Sequence, residues 1–309
     1  MTIHPCFIGC DIAKHHLDLF DETSGTSLRI ANTSAAIAAW LSALDDPGGS
    51  LVAFEATGPY DGVLRQALDQ AGLRFVRINP GRARDFARAT GRLAKTDAID
   101  ARMLAAMARS LALEPDAGTD PARDALAQLH KRRDQLVETR AAERVRHSEG
   151  QDPGGSLARH LAWLDAEIAT LERLVTQALR ADQTLARTQA ILRSAPGVGP
   201  VTATTLIALM PELGQTSPKA IAALAGLAPF NNDSGRKRGQ RSIKGGRRRV
   251  RRALYMAALA AVRTSPRFKA FYDAIKARCA AAKIALVAVA RKLLTVLNAM
   301  AKTKTAFQP

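Results

Sequence analysis

Four acidic residues in the first third of the chain have the types and spacing of a carboxylate set that could hold cations. Asp11 lies near the end of the apolar run CFIGCDIA (6–13), Glu55 interrupts the apolar run SLVAFEATG (50–58), and Asp97 and Asp100 stand three apart in AKTDAIDARMLA. An ionised acid at the margin of an apolar core must be paired or bind a cation. Residues three apart on a helix share a face, so Asp97 and Asp100 can act together. Oxygen donors of this kind suit hard Mg²⁺ or Mn²⁺. Two such ions about 3.5–4 Å apart can activate an attacking group and stabilise a leaving oxygen in phosphodiester chemistry. Each acid alone has an ordinary reading. Asp97 could simply complement a helix dipole, and Asp100 could pair with Lys95 or Arg102. The four together argue for chemistry.

Two further constellations point to phosphate. APGVGP (195–200) places Gly197 and Gly199 in a turn before an apolar helix, where backbone N–H groups could approach a phosphate in the manner of a helix-hairpin-helix element. A plain inter-helix turn is the competing reading. The stretch 231–252 carries Arg236, Lys237, Arg238, Arg241, Lys244, Arg247 and Arg248, followed by Arg249, Arg251 and Arg252. It is internal and leads into the apolar LYMAALAAV, so neutralising nucleic-acid phosphates explains it better than a disordered tail. Ser234 sits within this stretch in an Asp-Ser-Gly turn. Its hydroxyl reads either as a turn former or as a nucleophile on phosphorus flanked by guanidinium groups.

The elements that must position these groups follow from periodicity. Apolar runs predict strands at 6–13 and 50–58, alternation predicts a half-exposed strand at 16–21, and 27–33 and 74–80 read as further strands. Helices are predicted from Thr33 or Ser34 to Leu44, from Tyr60 to Ala71 with Gly72 as stop, and from about Asp97 to Leu111. Cys6 and Cys10 belong on the buried first strand. From about Pro121 to Leu192 the pattern turns to long helices broken at QDPGGS (151–156), and Leu157, Leu161, Leu164, Ile168, Leu171 and Val175 keep heptad spacing. That spacing serves an intramolecular hairpin or a coiled coil between copies equally well. Further helices are predicted at about 247–262 and 280–300. The fold class is thus α/β plus all-α, with domains at 1–115, 116–190 and 191–309.

Composition bounds the partner. The chain has 309 residues with 45 Lys plus Arg against 28 Asp plus Glu, a formal charge of +17. A pI near 10.6 calls for a polyanion. Aromatics are only 5% of residues, which disfavours broad base-stacking platforms. Three cysteines without a CxxC pair and six histidines without metal spacing supply neither a disulfide framework nor a zinc site. Without a run of ~20 apolar residues a membrane-embedded protein is not expected. The start MTIHPCFIGCDIA lacks signal-peptide features, so a cytoplasmic, nucleoid-associated protein is the expectation.

Taken in order, GCDIAK, FEATGPY, KTDAIDA, PGVGPVTA and GLAPFNNDSGRKRG resemble the DEDD transposases of bacterial insertion sequences. That family includes the bridge-RNA-guided recombinases and is similar to the pilin-gene invertases. The resemblance implies an RNase H-like (RuvC-like) N-terminal domain, a coiled-coil middle and a C-terminal transposase domain. It implies that Asp11, Glu55, Asp97 and Asp100 bind Mg²⁺ or Mn²⁺, and that Ser234 forms a covalent phosphoserine link to DNA. Its implied partners are double-stranded donor and target DNA, a structured guide RNA, and further copies of the chain in a dimer or tetramer. A junction-cleaving RuvC-like nuclease and a non-catalytic basic DNA-binding protein are the alternatives.

Overall fold

The computed structural model describes residues 6–56, 58–91, 97–116, 118, 120–150, 152–231, 239, 241–279 and 281–308, and not the side chains of residues 59, 97–99 and 279. The chain divides into two compact units, Met1–Thr119 and Asp120–Pro309.

The first unit is a mixed α/β structure built on five strands: β1 (Cys6–Ile12), β2 (His16–Asp21), β3 (Ser27–Ala31), β4 (Ser50–Glu55) and β5 (Arg74–Ile78). Their order is β3-β2-β1-β4-β5. The first three strands pair antiparallel, whereas β1–β4 and β4–β5 are parallel. This pattern is consistent with an RNase H-like domain. Helices α1 (Ser34–Ser42) and α2 (Gly62–Gln70) cover one face, where Ile37, Leu41, Leu64 and Leu68 pack on Ile8, Cys10, Leu17 and Phe54. Thr33 caps α1 through its side chain, which accepts from the Ala36 N–H. Helices α3 (Pro80–Ala89) and α4 (Asp97–Ser110) cover the other face, with Met103, Leu104 and Met107 against Leu51, Ala53 and Val76.

Burial on both faces alters one sequence expectation. The alternation in β2 predicts a half-exposed strand, yet Leu17, Asp18 and Leu19 are all buried. Helix α4 packs on β2 as well as on β1, so the polar face of β2 is covered too. Helix α3 is also new relative to the sequence reading. Its signal is the pair Asn79–Pro80: the Asn79 side chain accepts from the Gly81 N–H at 2.8 Å, and proline occupies the first turn. Only Ala83 of α3 is fully buried, so it has no apolar stripe for periodicity to find.

The second unit is nearly all helical. Helices α5 (Pro121–Ser148) and α6 (Ser156–Ala181) form an antiparallel pair, marked by ion pairs Arg133–Glu172 at 2.8 Å and Arg140–Asp165 at 2.6 Å. The heptad residues Leu164, Ile168 and Leu171 pack on Leu136 of the same chain. Helix α7 (Gln183–Arg193) is separate from α6, because the Asp182 carboxylate accepts from the Thr184 and Leu185 N–H groups and restarts the helix. Then follow α8 (Pro200–Leu209), α9 (Pro218–Leu224), a two-residue ribbon of β6 (Pro229–Phe230) and β7 (Ser242–Ile243), α10 (Arg248–Thr264), α11 (Pro266–Cys279) and α12 (Ala282–Thr303). The periodicity reading does not predict helix α11 either; Pro266 occupies its first position, as Pro80 does in α3. Residues 202–208 of α8 are all buried, so this helix is the axis of the unit's core. Among the described residues α12 alone is long and apolar enough to cross a membrane, which corrects the expectation that the chain has no run of that length. Half of its apolar window is buried, with Val289, Leu293, Leu294 and Leu297 inside the core of the unit.

Candidate active site

Side-chain alternation places two of the acids. On β1, Ile8 and Cys10 face α1 and α2, so Gly9 and Asp11 face α4. On β4, Leu51 and Ala53 lie under α4, and Glu55 falls on that same face. The parallel register pairs Cys10 with Phe54, and Asp11 and Glu55 each stand one residue further along adjacent strands. Both are half-buried, as is Asp100.

Helix α4 brings its own acids to this end of the sheet because it packs unusually close. A Cβ at Gly9 would collide with the Ala101 carbonyl oxygen and crowd the Ala105 N–H, so only glycine lets α4 lie directly on β1. Arg102 stacks over Phe20 at 4.7 Å and Arg109 reaches Glu22 at 2.9 Å, so the helix runs antiparallel to β1. Its N-terminus is therefore near the strand ends that carry Asp11 and Glu55. Asp100 precedes the contact residue Ala101, and Asp97 opens the helix one turn before it. The side chain of Asp97 lies outside the described residues. Among the described residues no three Asp, Glu, His or Cys side chains are grouped closely enough to hold a metal ion. The donor chemistry nonetheless fits a hard cation, since every candidate is a carboxylate, and Asp11 and Glu55 lie at one end of one sheet face.

A fifth acid belongs to this neighbourhood and escaped the sequence reading. Asp18 stands directly opposite Asp11 in the β1–β2 register and is only 7% exposed. Arg29, its opposite on β3, donates to both Asp18 oxygens at 2.8 and 2.9 Å. Like charges directly across an antiparallel pair are unfavourable, and the Arg29 fork offsets one of them. Only the strand register could reveal this pair. Cys10, expected on a buried strand, is there; burial first, and then the charges of Asp11 and Asp18, push its thiol well above its ordinary value. It is no nucleophile.

In the second unit the base of the Ser234 loop is defined: Pro229 pairs with Ile243 and Phe230 with Ser242. Ser234, Arg236, Lys237 and Arg238 themselves lie outside the described residues. Arg241, Lys244 and Arg248 are exposed, as a phosphate-binding surface requires. Arg247 is different: its guanidinium forms a two-pronged pair with Glu212 at 2.6 and 2.6 Å and a contact to the Met210 sulfur. Arg251 donates to the Gly245 carbonyl at 2.7 Å and holds the turn before α10. The run thus contains both surface cations and structural ones.

The APGVGP turn is similarly divided. Gly197 has φ +77°, and a Cβ there would strike the α10 backbone at Ala257 and Ala261. Its glycine is demanded by helix packing. Gly199, the exposed N-cap of α8, has open space around it, whereas Pro200 carries no N–H and the Val198 N–H is donated to the Ala195 carbonyl, so the donor left to a phosphate at this turn is the Gly199 N–H itself.

Comparisons with known proteins match the chain in two stretches. A family model described as a transposase, of the DEDD type of insertion sequence IS110, matches residues 8–149. A second, described as the transposase IS116/IS110/IS902 family, matches residues 189–273. The 43.6 kDa protein of insertion element IS110 from Streptomyces coelicolor is 35% identical over 38% of this chain and 30% of its own length. The 42 kDa protein of IS900 from Mycobacterium paratuberculosis is 32% identical over 50% of this chain and 38% of its own. This chain therefore spans well under half the length of those relatives. The pilin gene-inverting protein of Moraxella lacunata is 26% identical over 97% of both chains.

Proposed function

The chain belongs to the IS110-type DEDD transposase family of bacterial insertion sequences, and from that premise we propose that it is a metal-dependent, serine-nucleophile DNA recombinase. The observation that supports the reading is that Asp11 and Glu55, on one face of adjacent parallel strands, lie at the end of the sheet where α4 begins. Asp11, Glu55, Asp97 and Asp100 would hold Mg²⁺ or Mn²⁺. A bound ion of this kind supplies positive charge to the phosphate oxygens and lowers the cost of the developing negative charge.

The protein's own groups do the rest. The Ser234 hydroxyl attacks the scissile phosphorus: the Oγ–P bond forms, the bond from phosphorus to one deoxyribose oxygen breaks, and that oxygen takes up a proton. The Ser234 proton passes to a carboxylate of the acidic set. A hydroxyl of the recipient strand then attacks the phosphoserine and regenerates Ser234. Arg236, Lys237, Arg238, Arg241, Lys244 and Arg248 grip the backbone around this loop, and the Gly199 N–H adds a further phosphate contact. Base pairing with a structured guide RNA would select donor and target DNA, and assembly of two or four copies would complete the site. Low aromatic content suits a protein that holds backbone and shape while RNA reads sequence.

The test is trapping of a protein–DNA adduct on a cleavable element end. Wild-type chain with Mg²⁺ is expected to give a denaturation-resistant adduct, and Ser234→Ala none. Cleavage by Ser234→Ala at wild-type rate would instead identify a nuclease that uses water. Asp11→Ala should abolish both adduct and cleavage; full activity in that variant, with no response to Mg²⁺, would leave only a basic DNA-binding protein.

A further inference from the structure

A groove of about 720 Å³ lies within the second unit, between the β6–β7 ribbon, α11 and α12. Its size is in the range of roughly 300–1,000 Å³ typical of ligand clefts. One stripe of α12 forms its long wall: Lys283, Ile284, Val287, Arg291, Lys292 and Thr295 recur at helical spacing over about 18 Å of helix. The opposite stripe of α12, from Val289 to Leu297, is in the core, so the helix is a rigid support. Leu227 and Phe271 make an apolar floor. Arg241 from the ribbon completes a set of four cations at the rim, with Lys283, Arg291 and Lys292. Among the described residues no acidic one lines the groove. Among the described residues none of the four cations forms an ion pair, whereas most acids elsewhere in this unit are already matched to arginines.

A surface with an apolar, partly aromatic floor and unmatched cations along its edge fits a ligand that is apolar in its body and anionic along one side. Unpaired nucleotides have that construction: base faces that lose water on the floor and phosphates spaced along a row of Lys and Arg. A duplex does not, because its bases are stacked inside. Among the described residues only Ser242 and Thr295 offer this groove a side-chain hydroxyl for a ribose 2′-OH, so a deoxyribose strand is the better match. We propose that this groove seats one or two extruded nucleotides of a single DNA strand. The ribbon that forms its edge is the base of the loop bearing Ser234, so a strand seated here would lie against the base of that loop. The inference rests on the recombinase reading for its purpose, though not for its test.

The test uses the full chain and an eight-nucleotide DNA strand containing 2-aminopurine, compared with the matched duplex and the RNA strand of the same sequence. Ala288→Trp fills the groove without changing charge. It is expected to weaken single-strand binding at least ten-fold and to remove the change in 2-aminopurine emission, while duplex affinity stays within two-fold. Replacing half-buried Arg291 and exposed Lys292 together (Arg291→Gln with Lys292→Gln) is expected to reduce the salt slope of single-strand binding by about 1.4, two phosphate contacts at ~0.7 each. Undiminished single-strand affinity in Ala288→Trp overturns the proposal. So does tighter RNA binding that Ala288→Trp abolishes, or capture of an acidic amphipathic peptide with no DNA strand bound. Ser234→Ala should bind the strand normally. Loss of the adduct reaction with intact groove binding would count against the recombinase reading alone, and an intact adduct without groove binding against the groove alone.

Discussion

At Asp11 three separate constraints meet in one residue position. Its strand must be apolar enough to lie at the centre of the sheet, its face must look toward α4, and its opposite across the ladder is another carboxylate, Asp18. Asp18 raises the local negative potential, and Arg29 keeps that tolerable. Asp18→Asn is therefore expected to lower Mn²⁺ affinity several-fold without abolishing it, whereas Asp11→Ala abolishes it, as isothermal titration calorimetry would read. Gly9 is as constrained as any acid. Gly9→Ala forces α4 off β1, and a loss of at least about 1–3 kcal/mol is expected in urea denaturation, with cleavage falling further because the start of α4 moves with it. Gly197→Ala should likewise cost stability, since it meets α10 rather than solvent. A pure phosphate-binding glycine would lose DNA affinity with an unchanged melting temperature.

Elements explain which parts of the chain respond to pH and truncation. The α5–α6 hairpin is held by a small cluster in which Leu164 is fully buried, so Leu164→Ala should cost roughly 2–5 kcal/mol in a denaturant titration. His130 is buried where α5 meets α8, and its Nε2 is 2.9 Å from the Thr205 hydroxyl oxygen. That hydroxyl donates to the Val201 carbonyl at 2.8 Å, so Nε2 is the protonated donor of a neutral ring. Burial lowers the His130 pKa, Arg133 and Arg249 push the same way, and Asp134 opposes them. A histidine whose pKa is lower folded than unfolded takes up its proton more readily in the unfolded chain. Its stabilising effect is whole above the ordinary value of 6.5 and is lost as pH falls below it toward the folded value. His130→Gln should flatten the fall in thermal stability between neutral pH and pH 5, measured by circular dichroism melts.

For the whole molecule the +17 charge is the dominant property, and its members are not equivalent. Lys244 and Arg248 are exposed, while Arg247 is held by Glu212. Neutralising Lys244 and Arg248 together is expected to reduce the salt slope of duplex binding by about 1.8. Arg247→Gln should leave that slope nearly unchanged and lower stability by about 1 kcal/mol, because solvent screens a pair that is a third exposed. Anisotropy titrations across a salt series separate the two.

Much of this was legible from residues alone. The five strands are within a few residues of where apolar runs and alternation put them, because strand-length hydrophobic periods are local and strong. The order of short motifs marked the family, since each motif is carried by adjacent residues. Helices α3 and α11 were not legible by period, because an Asn–Pro or Ser–Pro start is a local cap signal while their apolar faces are thin. What only the tertiary structure decided are the facts that depend on which strand lies beside which. Asp18 faces Asp11 through the β1–β2 register, Gly9 gives α4 its seat, and Arg247 is taken up by a glutamate thirty-five residues earlier. The heptad stripe shows the same limit: spacing told that the face must be buried, and only the fold of the chain back on itself supplied α5 as the surface that buries it.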